Sequence, residues 1–299
     1  MRTLDAAATE AALPFPALIE ALRTAFREGA EAPLRHHHTL PDGATLLLMP
    51  AWQLECMGVK IVTVHPENAR HGLPSVHATY LLADTRTGAP LALLDGEALT
   101  ARRTAAASAL AASFLARPDA TRLLIVGAGR VASRMAEAYA AIRPIRDVAV
   151  WNRSPAGAER LAAKLAGQGF SARLAQSLEA EVGRADIVTC ATLTTEPLIQ
   201  GAWLRPGLHL DLVGAYTPDR READADAVAR AAVFIDTDAA LEEAGELAGF
   251  DRANLRGTLA ELCRGEVAGR RAPAEITLFK SVGTALEDLA AAMLAAAPA

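Results

Sequence analysis

The run Leu123-Leu124-Ile125-Val126-Gly127-Ala128-Gly129-Arg130-Val131-Ala132 constrains the fold more than any other stretch of the chain. Four apolar residues run into a glycine turn, and helical spacing follows over 133–142, so the segment reads as buried strand, tight turn and helix. Its spacing is G-x-G-x-x-A. In a dinucleotide site Gly127 permits the turn, Gly129 lets the backbone approach a pyrophosphate, and Ala132 lets the helix pack close to its strand. Ala128, Arg130 and Val131 then bring the free N–H groups and the positive dipole end of the helix to the phosphates. A glycine turn alone says little; here the strand before it and the helix after it supply the context.

The rhythm after residue 121 is strand, helix, strand. Further strands are predicted at 148–151, 185–192, 208–213 and 232–236, with a helix at 156–167. These are βαβ units, hence a Rossmann, doubly wound parallel sheet. Asn152-Arg153-Ser154 ends the second strand. NAD-selective sites usually place an acid there, about 20 residues past the glycines, to accept from the ribose 2′-OH. This chain offers a guanidinium and two small polar groups instead, which suit a 2′-phosphate, so NADP(H) is expected over NAD(H). Ala191, Thr192, Val213 and Ser281 complete the expected cofactor-binding set.

The region before Pro118-Asp119 has a different texture. Leu18, Ile19, Leu22 and Phe26 line one face of a helix at 15–29, and strands at 45–50, 58–64, 76–84 and 90–94 are separated by turn residues. The expected fold is therefore α/β: a Rossmann domain over 118–280, and a β-rich α+β domain over 1–117 that residues 281–299 rejoin. Period two puts Lys60 on one face with Val62 and Val64, a face that is either solvated or turned into a cavity. Arg102 and Arg103, in an alanine-rich helix at 97–116, are about 100° apart and are not expected to share a role. His36-His37-His38 stand in an extended segment, where neighbours point to alternate sides, and no second ligand cluster accompanies them. No metal is expected.

At 299 residues the chain is long for one core, which agrees with two domains. A net charge of −5 gives no electrostatic reason to expect nucleic acid or an anionic membrane. Cys56, Cys190 and Cys263 are odd in number and widely spaced, as reduced thiols would be. With no signal peptide and no apolar run of about 18 residues, a cytoplasmic protein is expected. Only three lysines (Lys60, Lys164, Lys280) stand against 27 arginines, so a lysine is the more informative cation here.

Several segments together resemble the ornithine cyclodeaminase/mu-crystallin family: Met49-Pro50-Ala51, Gly58-Val59-Lys60-Ile61-Val62, Leu99-Thr100-Ala101-Arg102-Arg103-Thr104-Ala105-Ala106, Gly127-Ala128-Gly129, Gly214-Ala215 and Phe279-Lys280-Ser281-Val282-Gly283. The resemblance implies a homodimer with a β-rich substrate and dimerisation domain and an NAD(P)-holding Rossmann domain. It implies that Lys60 and Arg103, with Arg35 upstream, bind a substrate carboxylate. Cyclodeaminases resemble G-A-D or G-G-D after the 208–213 strand, their aspartate engaging the reacting amine. This chain reads Gly214-Ala215-Tyr216. A phenol of pKa about 10 is neutral at pH 7 and cannot pair with an ammonium as a carboxylate does. Asp211 is an alternative acid.

Family members lacking the aspartate include reductases of Δ1-pyrroline-2-carboxylate and Δ1-piperideine-2-carboxylate. The resemblance thus implies an NADPH-dependent cyclic ketimine reductase yielding L-proline or L-pipecolate, with Lys60, Arg103 and Tyr216 as the catalytic set. Ornithine cyclodeaminase, an acyclic amino-acid dehydrogenase and a non-catalytic NADPH-dependent small-molecule binder are the alternatives.

Overall fold

The computed structural model describes residues 1–297. The chain divides into two compact units, Met1–Arg103 with Thr284–Ala299, and Thr104–Gly283. Residues 298 and 299 of the expected 281–299 segment lie outside the described residues.

Among the described residues, the first unit is built on a six-stranded sheet. Its strands are β1 (Arg2–Leu4), β2 (His36–Thr39), β3 (Thr45–Trp52), β4 (Cys56–Val64), β5 (Val76–Asp84) and β6 (Pro90–Asp95), in the order β1-β6-β5-β4-β3-β2. β1 runs parallel to β6, and the remaining neighbours are antiparallel. In β4 the alternation buries Lys60 and Val62 and exposes Ile61 between them. The C-terminal helix Ala285–Ala296 lies on β3, β4, β5 and β6, and helix Phe15–Glu28 packs against it. That second helix buries Phe15, Leu18, Ile19, Leu22, Ala25 and Phe26. Each large apolar side chain so buried contributes about 1.5–3 kcal/mol. The exposed Arg23–Glu20 pair on the same helix adds little, so the apolar face holds it in place.

The second unit contains a parallel sheet of eight strands among the described residues. They are β7 (Arg122–Val126), β8 (Asp147–Trp151), β9 (Ser171–Leu174), β10 (Ile187–Cys190), β11 (His209–Leu212), β12 (Ala232–Ile235), β13 (Gly257–Thr258) and β14 (Thr277–Lys280). Their order is β13-β12-β14-β11-β10-β7-β8-β9. The winding reverses at β7, with β8 and β9 on one side and β10 and β11 on the other. The crevice outside the carboxyl ends of β7 and β10 is therefore the topological switch point, where ligands bind in such sheets.

Both unit boundaries differ from the expected 117/118 and 280/281. The first falls inside helix Gly96–Leu115, because the second half of that helix is bonded to the parallel sheet. Ser108 Oγ donates to Asp211 at 3.1 Å, while Arg270 Nε and Thr277 Oγ1 donate to the Leu115 carbonyl at 2.7 and 3.0 Å. At the other boundary Asp236 Oδ2 accepts from Ser281 Oγ, Val282 N and Gly283 N at 3.0, 2.9 and 2.6 Å, which keeps 281–283 with the second unit. Among the described residues no helix is long and apolar enough to cross a membrane.

Candidate active site

The glycine turn sits where the sheet reverses. Gly127 has φ +116°, and a Cβ there would lie 2.7 Å from the Ala191 carbonyl oxygen. Its N–H donates to Trp151 O at 2.8 Å, so the turn is wedged between the ends of β8 and β10 and admits only glycine. Gly129 faces open space. Helix Ala132–Ala140 begins at Val131 with no side-chain cap, which leaves its positive end for a ligand. Half-buried Asn152 donates from Nδ2 to Ser154 O at 3.0 Å, and Arg153 and Ser154 are exposed beside it. Gly157, a residue the sequence reading passed over, leaves room for both Ala128 and Asn152, whose Cβ and Nδ2 atoms a new Cβ would meet at 3.5 and 3.0 Å. A cradle that a side chain would fill, beside an uncapped helix start, fits a dinucleotide phosphate.

In the first unit, a buried ionic cluster joins three elements. Lys60 Nζ on β4 lies 2.7 Å from Asp288 Oδ2 on the C-terminal helix. Arg103 Nε donates to Asp288 Oδ1 at 2.9 Å, and Arg103 Nη1 donates to Glu287 Oε2. All four side chains are buried. Burial pulls the Lys60 ammonium down to about 8; Asp288 opposes that shift, while the positive charges of Arg103 and Arg35 add to it. Against burial, Arg103 and Lys60 hold the Asp288 carboxyl below its usual range. The pair is thus lopsided. Asp288 has two cations on it, whereas Lys60 has one acid and two repelling neighbours. Tyr80, opposite Lys60 in the β4–β5 register, turns a fully buried hydroxyl toward the room that Gly58 leaves.

The structure therefore brings Lys60 and Arg103 together, with half-buried Arg35 close enough for its charge to be felt. Lys60 is turned inward rather than onto a solvated face. Arg103 Nε and Nη1 already serve Asp288 and Glu287 within the protein. Those two acids escaped the sequence reading. In Thr284-Ala285-Leu286-Glu287-Asp288 they look like ordinary acidic residues in the first turn of a helix. Arg102 does have a separate role, donating to Leu13 O at 2.6 Å and lying 4.1 Å over the Phe15 ring.

In the second unit Tyr216 follows Gly214-Ala215, half-buried, with the Arg220 guanidinium 5.7 Å from its ring centre. The alternative acid, Asp211, is occupied by hydroxyls of its own unit. Fully buried, it accepts from Ser108 Oγ, Tyr139 OH at 2.8 Å and Thr189 Oγ1 at 2.6 Å. Burial lifts its carboxyl to about 6 against those hydroxyls. Removing one donor to a buried carboxylate costs about 1.5–3 kcal/mol. Tyr139→Phe is accordingly expected to lower the urea midpoint by that equivalent and leave KM alone; an unmoved midpoint with a raised KM would return Asp211 to the chemistry. Ser281 also has a structural partner, donating from Oγ to Asp236, and Val213 N donates to Cys190 O at 3.0 Å.

Comparison with known proteins follows the same lines. The model of the ornithine cyclodeaminase/mu-crystallin family matches residues 3–296. The Δ1-pyrroline-2-carboxylate reductase of Paracoccus denitrificans is 41% identical over 288 residues, covering 89% of this chain and 90% of its own. The ketimine reductase mu-crystallin of Rattus norvegicus is 38% identical, covering 83% and 78%. Among solved structures, the Δ1-pyrroline-2-carboxylate reductase of Thermococcus litoralis, in complex with NADH and L-proline, superimposes with a TM-score of 0.94 at 35% identity, over 99% of this chain and 96% of that one. With its glycine turn at the switch point of a parallel sheet and a buried lysine–arginine cluster in its other, largely antiparallel unit, the chain belongs to the ornithine cyclodeaminase/mu-crystallin family.

Proposed function

We propose that this protein is an NADPH-dependent reductase of a cyclic ketimine carboxylate, Δ1-pyrroline-2-carboxylate or Δ1-piperideine-2-carboxylate, yielding L-proline or L-pipecolate. The observation that carries the reading is the Lys60–Asp288–Arg103 cluster, a buried pair of cations that share Asp288, with Glu287 also on Arg103. The named activities of the relatives support it.

The glycine turn 127–129, Arg130 and Val131 hold the pyrophosphate, and Asn152, Arg153 and Ser154 take the 2′-phosphate. Reduced nicotinamide, when bound, supplies the hydride for the C=N carbon. Arg35, Arg103 and Lys60 attract the substrate carboxylate, with the positions of Arg103 and Lys60 fixed in advance by Asp288 and Glu287. The Lys60 ammonium gives its proton to the ring nitrogen, and its lowered pKa makes it a competent donor near neutrality. Tyr216, where cyclodeaminases carry an acid, brings no charge to that nitrogen, which suits an imine better than a terminal ammonium. A homodimer in the cytoplasm is part of the same reading.

Absorbance at 340 nm tests it with both cyclic imines. We expect turnover with at least one, and kcat/KM for NADPH at least tenfold above NADH, the gap closing in Arg153→Ala. NADH used equally well would overturn the cofactor preference. Failure with every cyclic imine would overturn the reductase reading: ammonia released from ornithine without net cofactor change would identify a cyclodeaminase, and tight NADPH binding with no turnover would identify a binder.

A further inference from the structure

The segment Phe279-Lys280-Ser281 leads to a buried hub to which the proposed reaction assigns no role. Glu222, fully buried in the second unit, accepts from two strand ends at once. Its Oε1 takes Thr192 N and Thr192 Oγ1, each at 2.7 Å, just beyond β10. Its Oε2 takes Gly214 N at 2.7 Å, just beyond β11. The two backbones cross so closely that a Cβ on Gly214 would overlap the Thr192 carbonyl oxygen. The hub is tethered in turn: Glu222 N donates to Glu246 Oε1 at 2.6 Å, and Lys280 Nζ, at the end of β14, lies 3.6 Å from Glu246 Oε2. Lys280 is wholly buried, and its charge acts on Glu222.

We infer that Glu222 is a positioning residue of the dinucleotide site, fixing the Ala191–Thr192 and Val213–Gly214 backbones on the β10 side of the glycine turn. Those backbones form one wall of the crevice where the sheet reverses, because the Ala191 carbonyl is the atom against which Gly127 is packed. A wall fixed through a single carboxylate serves the half of the dinucleotide beyond the pyrophosphate. The adenosine half is left to the glycine turn and 152–154. This inference rests on the reductase reading for its choice of ligand.

Equilibrium binding by nicotinamide and protein fluorescence, using full-length protein, separates the two halves. Glu222→Gln keeps the shape but turns an N–H toward Gly214 N, so one donor loses its acceptor. Its Kd for NADPH should rise at least tenfold while its Kd for 2′,5′-ADP stays within twofold, and kcat at saturating NADPH should fall at least tenfold. Thr192→Val, which deletes one donor and leaves the carboxylate, keeps the test open if Glu222→Gln does not fold; the same split is expected, at threefold or more. Wild-type NADPH affinity in the variants, or equal loss of NADPH and 2′,5′-ADP, would overturn the inference. Wild-type protein that binds neither NADPH nor NADH would instead overturn the function proposed above, before any variant is compared.

Discussion

Arg103→Ala is expected to lose about 3–5 kcal/mol of unfolding free energy together with its turnover, a size set by what the guanidinium leaves behind. Glu287 and Asp288 are fully buried, and Arg103 donates to both. With the guanidinium gone, Lys60 remains on Asp288, and the buried Glu287 carboxylate loses the Arg103 countercharge. Urea unfolding reads the cost. Arg103→Ala with Glu287→Gln should regain part of the lost stability, because the neutral amide tolerates burial, yet should regain no activity. Arg103→Lys should fall between, since one ammonium cannot reproduce a planar fork that reaches two acids. An Arg103→Ala protein as stable as the wild type would mean that the cluster does not exist in solution as described.

That cluster also marks how far the sequence could be read. The glycine turn, the parallel strands around it and the apolar face of helix Phe15–Glu28 were legible because period and turn chemistry are local properties. β1 and β13, three and two residues long, are too short to carry a period. The unit boundary inside helix Gly96–Leu115 left no trace, since alanine looks alike whichever sheet it packs on. For Lys60, alternation named its face but not whether that face was wet. Glu287 and Asp288 meet their partners only through the fold, about 185 residues from Arg103 in sequence. Glu222, following Arg220 and Arg221, has the appearance of a solvated loop residue, and nothing local tells it apart.

Above about pH 8 the protein should grow less active and, as far as Lys60 alone is concerned, more stable. Activity falls because the ammonium is the proton donor: kcat/KM should drop toward tenfold per pH unit once Lys60 titrates. Stability moves the other way. Lys60 has a folded pKa of about 8 against an ordinary 10.5, so between those values the unfolded chain binds more protons and unfolding becomes harder as pH rises. The burial penalty on the ammonium is fully present below pH 8 and is relieved on the way to 10.5. Loss of rate through unfolding would therefore carry the wrong sign. Neighbouring charges move the limb in known directions. Arg35→Ala removes a repelling cation and should shift it to higher pH, whereas Asp288→Asn removes the opposing acid and should shift it lower. Lys60→Met should abolish the limb and lose about a hundredfold or more in kcat/KM, the lower end of what a positioned proton donor supplies. A rate that stays flat to pH 9.5, or a limb indifferent to Asp288→Asn, would remove Lys60 from the chemistry while leaving its ion pair intact.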